Sequence, residues 1–224
     1  EIQCKTRPGT GYSLPLRLVI KNQRASCRNE TVTCKLSYFK PQIYKVIGPN
    51  PSSPSVENRL LTQGNESVVL DGDMFGPPGT KVFAYYKNTE NSGTLSGATF
   101  QAVQCNVTKA HVQITCRTVE GVGVDHHWTV LINGQLSNVS SDTTSYHKPS
   151  IAGFDTPSVE PNGIETDGSS FVVLIGRNFG PPVPTNSNIS AEYSNPNLTG
   201  LAGKLYSVSS CIVLDHEMIK CPTK

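Results

Sequence analysis

The stretch "VVLIGRNFGPP", Val172–Pro182, repeats "VVLDGDMFGPP", Val68–Pro78, within one 224-residue chain. Each copy is a β-branched apolar run that reaches a glycine, then a phenylalanine, then a Gly-Pro-Pro stop. Glycine accepts backbone angles that other residues resist, and the prolines fix the exit, so each copy reads as a strand running into a tight turn. A chain that makes the same turn twice is built from repeated units.

The repetition extends outward from this pair. "SYFKPQI", Ser37–Ile43, matches "SYHKPSI", Ser145–Ile151, with the prolines 108 residues apart (149 minus 41). "CNVTKAHVQITC", Cys105–Cys116, matches "CIVLDHEMIKC", Cys211–Cys221, and His111 and His216 each stand five residues before the second cysteine. A third copy opens the chain: "IQCKTRPGTG", Ile2–Gly11, aligns with "ITCRTVEGVG", Ile114–Gly123, at an offset of 112 (114 minus 2). At the same offset "LRLVIKNQ" from Leu16 falls on "WTVLINGQ" from Trp128. The period is that of one small β-domain.

Within the unit, "ESVVLDGDMF", "KVFAYY", "TFQAVQCNV", "HVQITCRT" and "HWTVLINGQLS" are short β-rich runs bounded by turn formers, which predicts an antiparallel sandwich and an all-β chain. The 19 glycines and 16 prolines agree with frequent turns and argue against long helices. Charge is nearly balanced, with 19 basic and 17 acidic residues for a net +2, so no basic field favours nucleic acid. No apolar run approaches the roughly 20 residues that span a bilayer, which predicts no membrane contact within this segment. Seven cysteines accompany six Asn-x-Ser/Thr acceptors, at Asn29, Asn65, Asn106, Asn138, Asn188 and Asn197. Together they favour an oxidising, secreted or cell-surface setting and N-linked glycans.

The order of these features resembles the IPT/TIG family: a "KP.I" opening, a strand ending in "G.NFG", a cysteine-bearing strand pair closing on "C.T", a "G.G" turn and a last strand "W.V.I.GQ.S". Its members are immunoglobulin-like β-sandwiches of plexins, Met-type receptors, fibrocystin-like surface proteins and Rel-type transcription factors. The resemblance implies tandem sandwiches of an extracellular receptor or adhesion protein. Its DNA-binding branch fits poorly with the sequons, the cysteines and the balanced charge. On this alignment residues 1–38 are the C-terminal part of a first domain, 39–145 a complete domain, and 146–224 a domain lacking its last strand. The repeats pair Cys105 with Cys116 and Cys211 with Cys221 across hairpins, and Cys27 with Cys34 around an insertion, and leave Cys4 over, unpaired or bonded between molecules.

Two readings of the open ends stand side by side. The chain is a window on a longer tandem array, or its ends complement each other between molecules. For the second, Leu14, Leu16, Leu18 and Ile20 alternate with period two, as a donated strand requires. Such donation runs head to tail without closing and builds a fibre. Against it, "IQCKT" and "IKCPT" are equivalent strands, so donation duplicates one of them.

Chemistry is sparse. None of the GxSxG, HExxH, Walker or GxGxxG patterns occurs, and no catalytic, metal or cofactor residue is expected. "DGDMFG", Asp71–Gly76, has Val82 at the twelfth position, where a calcium loop needs glutamate. His126 and His127 are adjacent on a strand and point to opposite faces, so they do not share an ion. Trp128 reads as a core anchor and "SYFKP" and "SYHKP" as short linkers. The expectation is a non-enzymatic structural or adhesive glycoprotein that self-associates or binds another extracellular protein. The alternative is a ligand-binding ectodomain of a large receptor.

Overall fold

The computed structural model describes residues 3–25, 34–49, 58–88, 99–156, 163–182, 189–194 and 206–223. Among them there is no helix; the chain is all-β, and its sheets are consistent with a sandwich. It divides into two compact units. The first comprises Glu1–Arg59, Asn65–Val119 and Val124–Ser145, the second Leu60–Gly64, Glu120–Gly123 and Tyr146–Lys224.

The first unit opens with four two-residue strands, Leu14–Pro15 (β1), Val19–Ile20 (β2), Gln23–Arg24 (β3) and Lys35–Leu36 (β4). The main sheet follows: Gln42–Ile47 (β5), Arg59–Leu60 (β6), Ser67–Asp73 (β7), Val82–Asn88 (β8), Phe100–Lys109 (β9), Gln113–Arg117 (β10), His126–Ile132 (β11), Gln135–Leu136 (β12) and Thr143–Tyr146 (β13). Its order is β5-β7-β10-β9-β8-β11-β13-β6, with β12 beside β11. Strict alternation fills one face: Val82, Ala84 and Tyr86 of β8 and His126, Trp128, Val130 and Ile132 of β11 are buried, and the residues between them are not. Trp128 stacks on Tyr86 at 4.5 Å between ring centroids, and its indole N–H donates to Thr144 Oγ1 at 3.0 Å. A buried Trp thus satisfies its one polar group, which makes it the anchor the sequence suggests.

The repeated turn has a cause beyond backbone angles. Gly72 lies where β5 crosses β7, at a register shift between Ile43 and Lys45. A Cβ there strikes the Gln42 carbonyl oxygen and the ring of Phe75. The second unit repeats this at Gly176, between the Ser150 carbonyl and the ring of Phe179, with a register shift between Ile151 and Gly153. Positive φ enters only afterwards, at Met74 and Gly76 (62° and 86°) and at Asn178 and Gly180 (62° and 93°). The returning hairpin clamps each turn. Phe75 N–H donates to the His111 carbonyl and Gly72 N–H to that of Val112; Phe179 N–H does so to His216 and Gly176 N–H to Glu217. His111 and His216 are therefore equivalent turn residues.

Strand β9 is long because it serves both halves of the sheet: Phe100–Ala102 pair with β8 and Val103–Lys109 with β10. The corner falls at Gln104, whose φ is 51°. A disulfide joins Cys105, just past the corner, to Cys116 in β10.

The second unit contains Ser150–Asp155 (β14), Phe171–Arg177 (β15), Ser190–Tyr193 (β16), Tyr206–Ser209 (β17), Ile212–Asp215 (β18) and Met218–Pro222 (β19). They form a four-stranded sheet, β14-β15-β19-β18, and a two-stranded one, β16-β17. Here the corner divides the equivalent of β9 into β17 and β18 at Ser210, with φ 77°. The second disulfide, Cys211–Cys221, follows at once. The "C.T" threonines close both units alike, Thr118 N–H on Glu66 O and Thr223 N–H on Ser170 O, each at 2.9 Å.

Two expectations shift. "SY" is no linker: Tyr146 is buried at the end of β13 and its N–H donates to Gly123 O, while Tyr38 N–H donates in the same way to Gly11 O. The "IQCKT" segment lies outside any strand over Gln3–Arg7.

The crossing makes a direct prediction. Gly72→Ala and Gly176→Ala each destabilise by about 3 kcal/mol, the scale of a core overpacked against backbone. Gly153→Ala, where a Cβ meets nothing within 4 Å, leaves stability unchanged. Denaturant unfolding of the three variants checks this; equal behaviour at all three positions contradicts the close-approach account.

Candidate functional site: an apolar cleft beside a strand edge

Corresponding residues of the two units differ sharply in exposure. Ile43 and Val46 of β5 are 3% and 1% exposed, whereas their counterparts in β14, Ile151 and Phe154, are 65% and 51% exposed. Tyr86 is fully buried and Tyr193 is 39% exposed. The equivalence is one of register as well as sequence. Ala84, Tyr85 and Tyr86 face Ala102, Gln101 and Phe100, and Ala191, Glu192 and Tyr193 face Val208, Ser207 and Tyr206. Even the ring stacks match, Tyr86 on Phe100 and Tyr193 on Tyr206, both at 5.1 Å.

The exposed side chains line one apolar cleft of about 630 Å³ between the two sheets, walled by Ile151, Phe154, Leu174, Ile189, Ala191 and Tyr193. Below it remains a small buried core of Phe179, Val208, Cys211, Val213, Ile219 and Cys221. In the first unit β11 lies along β8 over seven residue pairs, from His126↔Asn88 to Ile132↔Val82. Among the described residues no strand holds that place beside β16, whose sheet partner is β17. The cleft is the sandwich interior seen from that side.

The segment named as a candidate donor is equally exposed: Leu14 39%, Leu16 58%, Leu18 38% and Ile20 53%. Its strands belong to two separate two-stranded sheets, β1-β4 and β2-β3. Val19 and Ile20 pair with Arg24 and Gln23, as Leu131 and Ile132 pair with Leu136 and Gln135. Leu14 and Pro15 pair with Leu36 and Lys35, as His126 and His127 pair with Thr144 and Thr143. Ala25 N–H donates to Leu18 O as Ser137 N–H donates to Val130 O, both at 2.9 Å. Residues 14–25 thus repeat the pairings β11 makes with β12 and β13, and Leu14, Leu16, Leu18 and Ile20 correspond in sequence to the four buried positions of β11. Gln135 Nε2 on Tyr38 O and Asn133 Nδ2 on Thr10 Oγ1 tie residues on either side of this segment to the β11–β12 hairpin.

The remaining site residues fall into place individually. Cys4 is exposed with a free thiol. Cys34 is disulfide-bonded, and Cys27 lies outside the described residues, as do Asn29, Asn188 and Asn197. Asn65 and Asn106 are exposed. Asn138 is half-buried and its amide is committed: Oδ1 accepts Ile43 N–H at 2.7 Å, and Nδ2 donates to Ile43 O and Val139 O. Asp71 accepts Gln113 Nε2, and Asp73 accepts the Met74 N–H, so both carboxylates of "DGDMFG" stabilise the turn. His126 is buried with Nδ1 against Thr144 O, and His127 lies on the other face with Nδ1 against Ser140 O. His216 Nδ1 meets Thr62 Oγ1 at 2.9 Å, and Nε2 lies 3.8 Å from the Glu120 carboxylate. The exposed carboxyl of Asp167 is held below its ordinary range by hydrogen bonds from the side chain and backbone of Ser169. Among the described residues no three His, Cys, Asp or Glu side chains gather as a metal site would require, and no helix is long and apolar enough to cross a membrane. The Cys105–Cys116 and Cys211–Cys221 disulfides are compatible with a secreted or extracellular protein. A scan against models of protein families and a search of curated proteins found no match to this chain.

Proposed function

We propose that this chain is a segment of an extracellular glycoprotein built from tandem immunoglobulin-like domains of the IPT/TIG type, non-enzymatic, with a structural or adhesive role. The observation that carries the reading is the repetition of the same frame in both units. Glycine crossing, phenylalanine plug, left-handed corner, cystine and closing threonine recur at matching positions. Polar groups serve that frame. Ser137 and Ser140 Oγ accept the Val130 and Trp128 N–H groups, Thr144 Oγ1 accepts the Trp128 indole, and Tyr86 Oη accepts the Val119 N–H. Side chains spent on backbone hydrogen bonds support rigidity, and none of these converges on a reacting atom. The cystines bridge neighbouring strands where the sheet turns, which suits modules that carry load in series.

Expression through a eukaryotic secretory pathway tests the reading. Secreted material is expected to carry glycans at Asn65 and Asn106 and none at Asn138, because glycosylated Nδ2 retains one hydrogen and this amide uses both. Asn138→Ala lowers stability by about 1 to 3 kcal/mol through the orphaned Ile43 backbone groups. Mass spectrometry before and after glycosidase, with thiol labelling, reads the glycans and both cystines. A chain that folds equally well reduced and carries no glycan overturns the extracellular reading.

A further inference from the structure

We propose that the outward face of β8 and β11 in the first unit binds a sulfated polysaccharide, with sugar rings on Phe83 and Tyr85 and sulfates on Lys81 and Lys87. The inference rests on the extracellular reading above and names the class of molecule that its adhesive role meets. It begins from alternation. Val82, Ala84 and Tyr86 point into the core, so Phe83, Tyr85 and Lys87 point out. Register sets Leu131 beside Phe83, Thr129 beside Tyr85 and His127 beside Lys87. Gln101 flanks Tyr85 from β9, and Lys81 Nζ lies 4.9 Å from the centroid of the Phe83 ring.

The polar groups of this face are uncommitted. Ser137, Ser140, Thr144 and Tyr86 hold the frame, whereas the side chains of Tyr85, Lys87, Gln101 and Thr129 have no hydrogen-bond or ion-pair partner among the described residues. Hydroxyl, amide and ammonium groups beside two apolar rings match a sugar, whose hydroxyls bond and whose C–H faces stack. Charge here has one sign. Strands β8, β9, β11, β12 and β13 contain no Asp or Glu. Lys81 and Lys87 stand roughly 20 Å apart along β8 at about 3.3 Å per residue, a spacing suited to an extended polyanion. The accessible sequons lie elsewhere: Asn65 precedes β7, and Asn106 belongs to the part of β9 that pairs with β10, so neither glycan springs from this face. The repeats also diverge here. Register aligns Val82, Ala84 and Tyr86 with Ile189, Ala191 and Tyr193, so the inward residues keep their type. Outward, Lys81, Phe83, Tyr85 and Lys87 give way to Asn188, Ser190, Glu192 and Ser194. The shared frame therefore requires the inward set and not the outward one. An acidic peptide fits less well, because β11 on one side and β9 on the other leave no free strand edge at Tyr85 for it to extend.

Surface plasmon resonance of the secreted, disulfide-bonded chain over an immobilised heparin oligosaccharide tests this, with the desulfated oligosaccharide and a polyglutamate peptide as companion probes. The chain binds the sulfated probe at low salt and releases it by about 1 M, where the Debye length falls to about 3 Å. Lys81→Gln and Lys87→Gln each weaken binding about threefold, and Phe83→Ala about tenfold. Lys109→Gln, an equal loss of charge where β9 pairs with β10, leaves it unchanged. Lys81→Asn together with Phe83→Ser creates an Asn-Val-Ser acceptor, and a glycan there abolishes binding. No binding to the sulfated probe, equal binding to the desulfated probe or to polyglutamate, or an effect of Lys109→Gln as large as that of Lys81→Gln overturns the proposal. A chain that keeps its cystines and its glycans at Asn65 and Asn106 yet does not bind sinks the polysaccharide face alone. One that binds but carries neither sinks the extracellular reading and leaves the anion-binding face standing.

Discussion

The frame depends on one close approach, a carbonyl oxygen lying where the Cβ of residue 72 or 176 would otherwise stand. Removing one methyl group lets β5 cross β7, and β14 cross β15, tightly enough to shift register by a residue. The shift turns the first strand, the ring of Phe75 or Phe179 fills the space below the glycine, and the chain leaves through two left-handed residues toward the hairpin that clamps it. Each step requires the previous one. A side chain at the glycine separates the strands, displaces the ring and removes the geometry that brings the hairpin's turn carbonyls within reach.

The second constraint is the corner in the cystine-bearing strand. One strand serves both halves of a sheet only if it bends, and a non-glycine residue in the left-handed region, Gln104 or Ser210, provides the bend at a local cost of the order of 1–3 kcal/mol. The cystine lies one residue later and ties the bent strand to its neighbour, so strain and crosslink coincide in both units. In the first unit the strand bends and continues; in the second it divides. Many core positions around the second corner face an open cleft, and fewer contacts hold the two pieces in line.

Much of this was legible in the sequence. Strands, turns and both hairpin cystines followed from the repeats, because β-branched runs, Gly-Pro-Pro and cysteine spacing are local signals. The alternation of Leu14, Leu16, Leu18 and Ile20 was legible for the same reason, because one face of a strand is a local property. Less local facts were hidden. Gly72 read as a turn glycine, and its reason proved to be a carbonyl from a strand 30 residues earlier. Ser145–Tyr146 read as linker because nothing in "SY" announces that the ring will be buried. The commitment of Asn138 to Ile43 spans 95 residues, and no sequon reveals whether its amide is spoken for.

The contrast between the units bears on where activity resides in such a chain. In the first, the positions equivalent to Ile151, Phe154 and Tyr193 lie under β11 and are 0–3% exposed. In the second the same pattern is exposed, with Ile151 at 65% and Phe154 at 51%. Residues 14–20 have the converse arrangement, hydrogen-bonded along one edge with their apolar side chains exposed. The frame's own assembly rule, a strand of given register against a sheet of given register, is what buries these positions in the first unit.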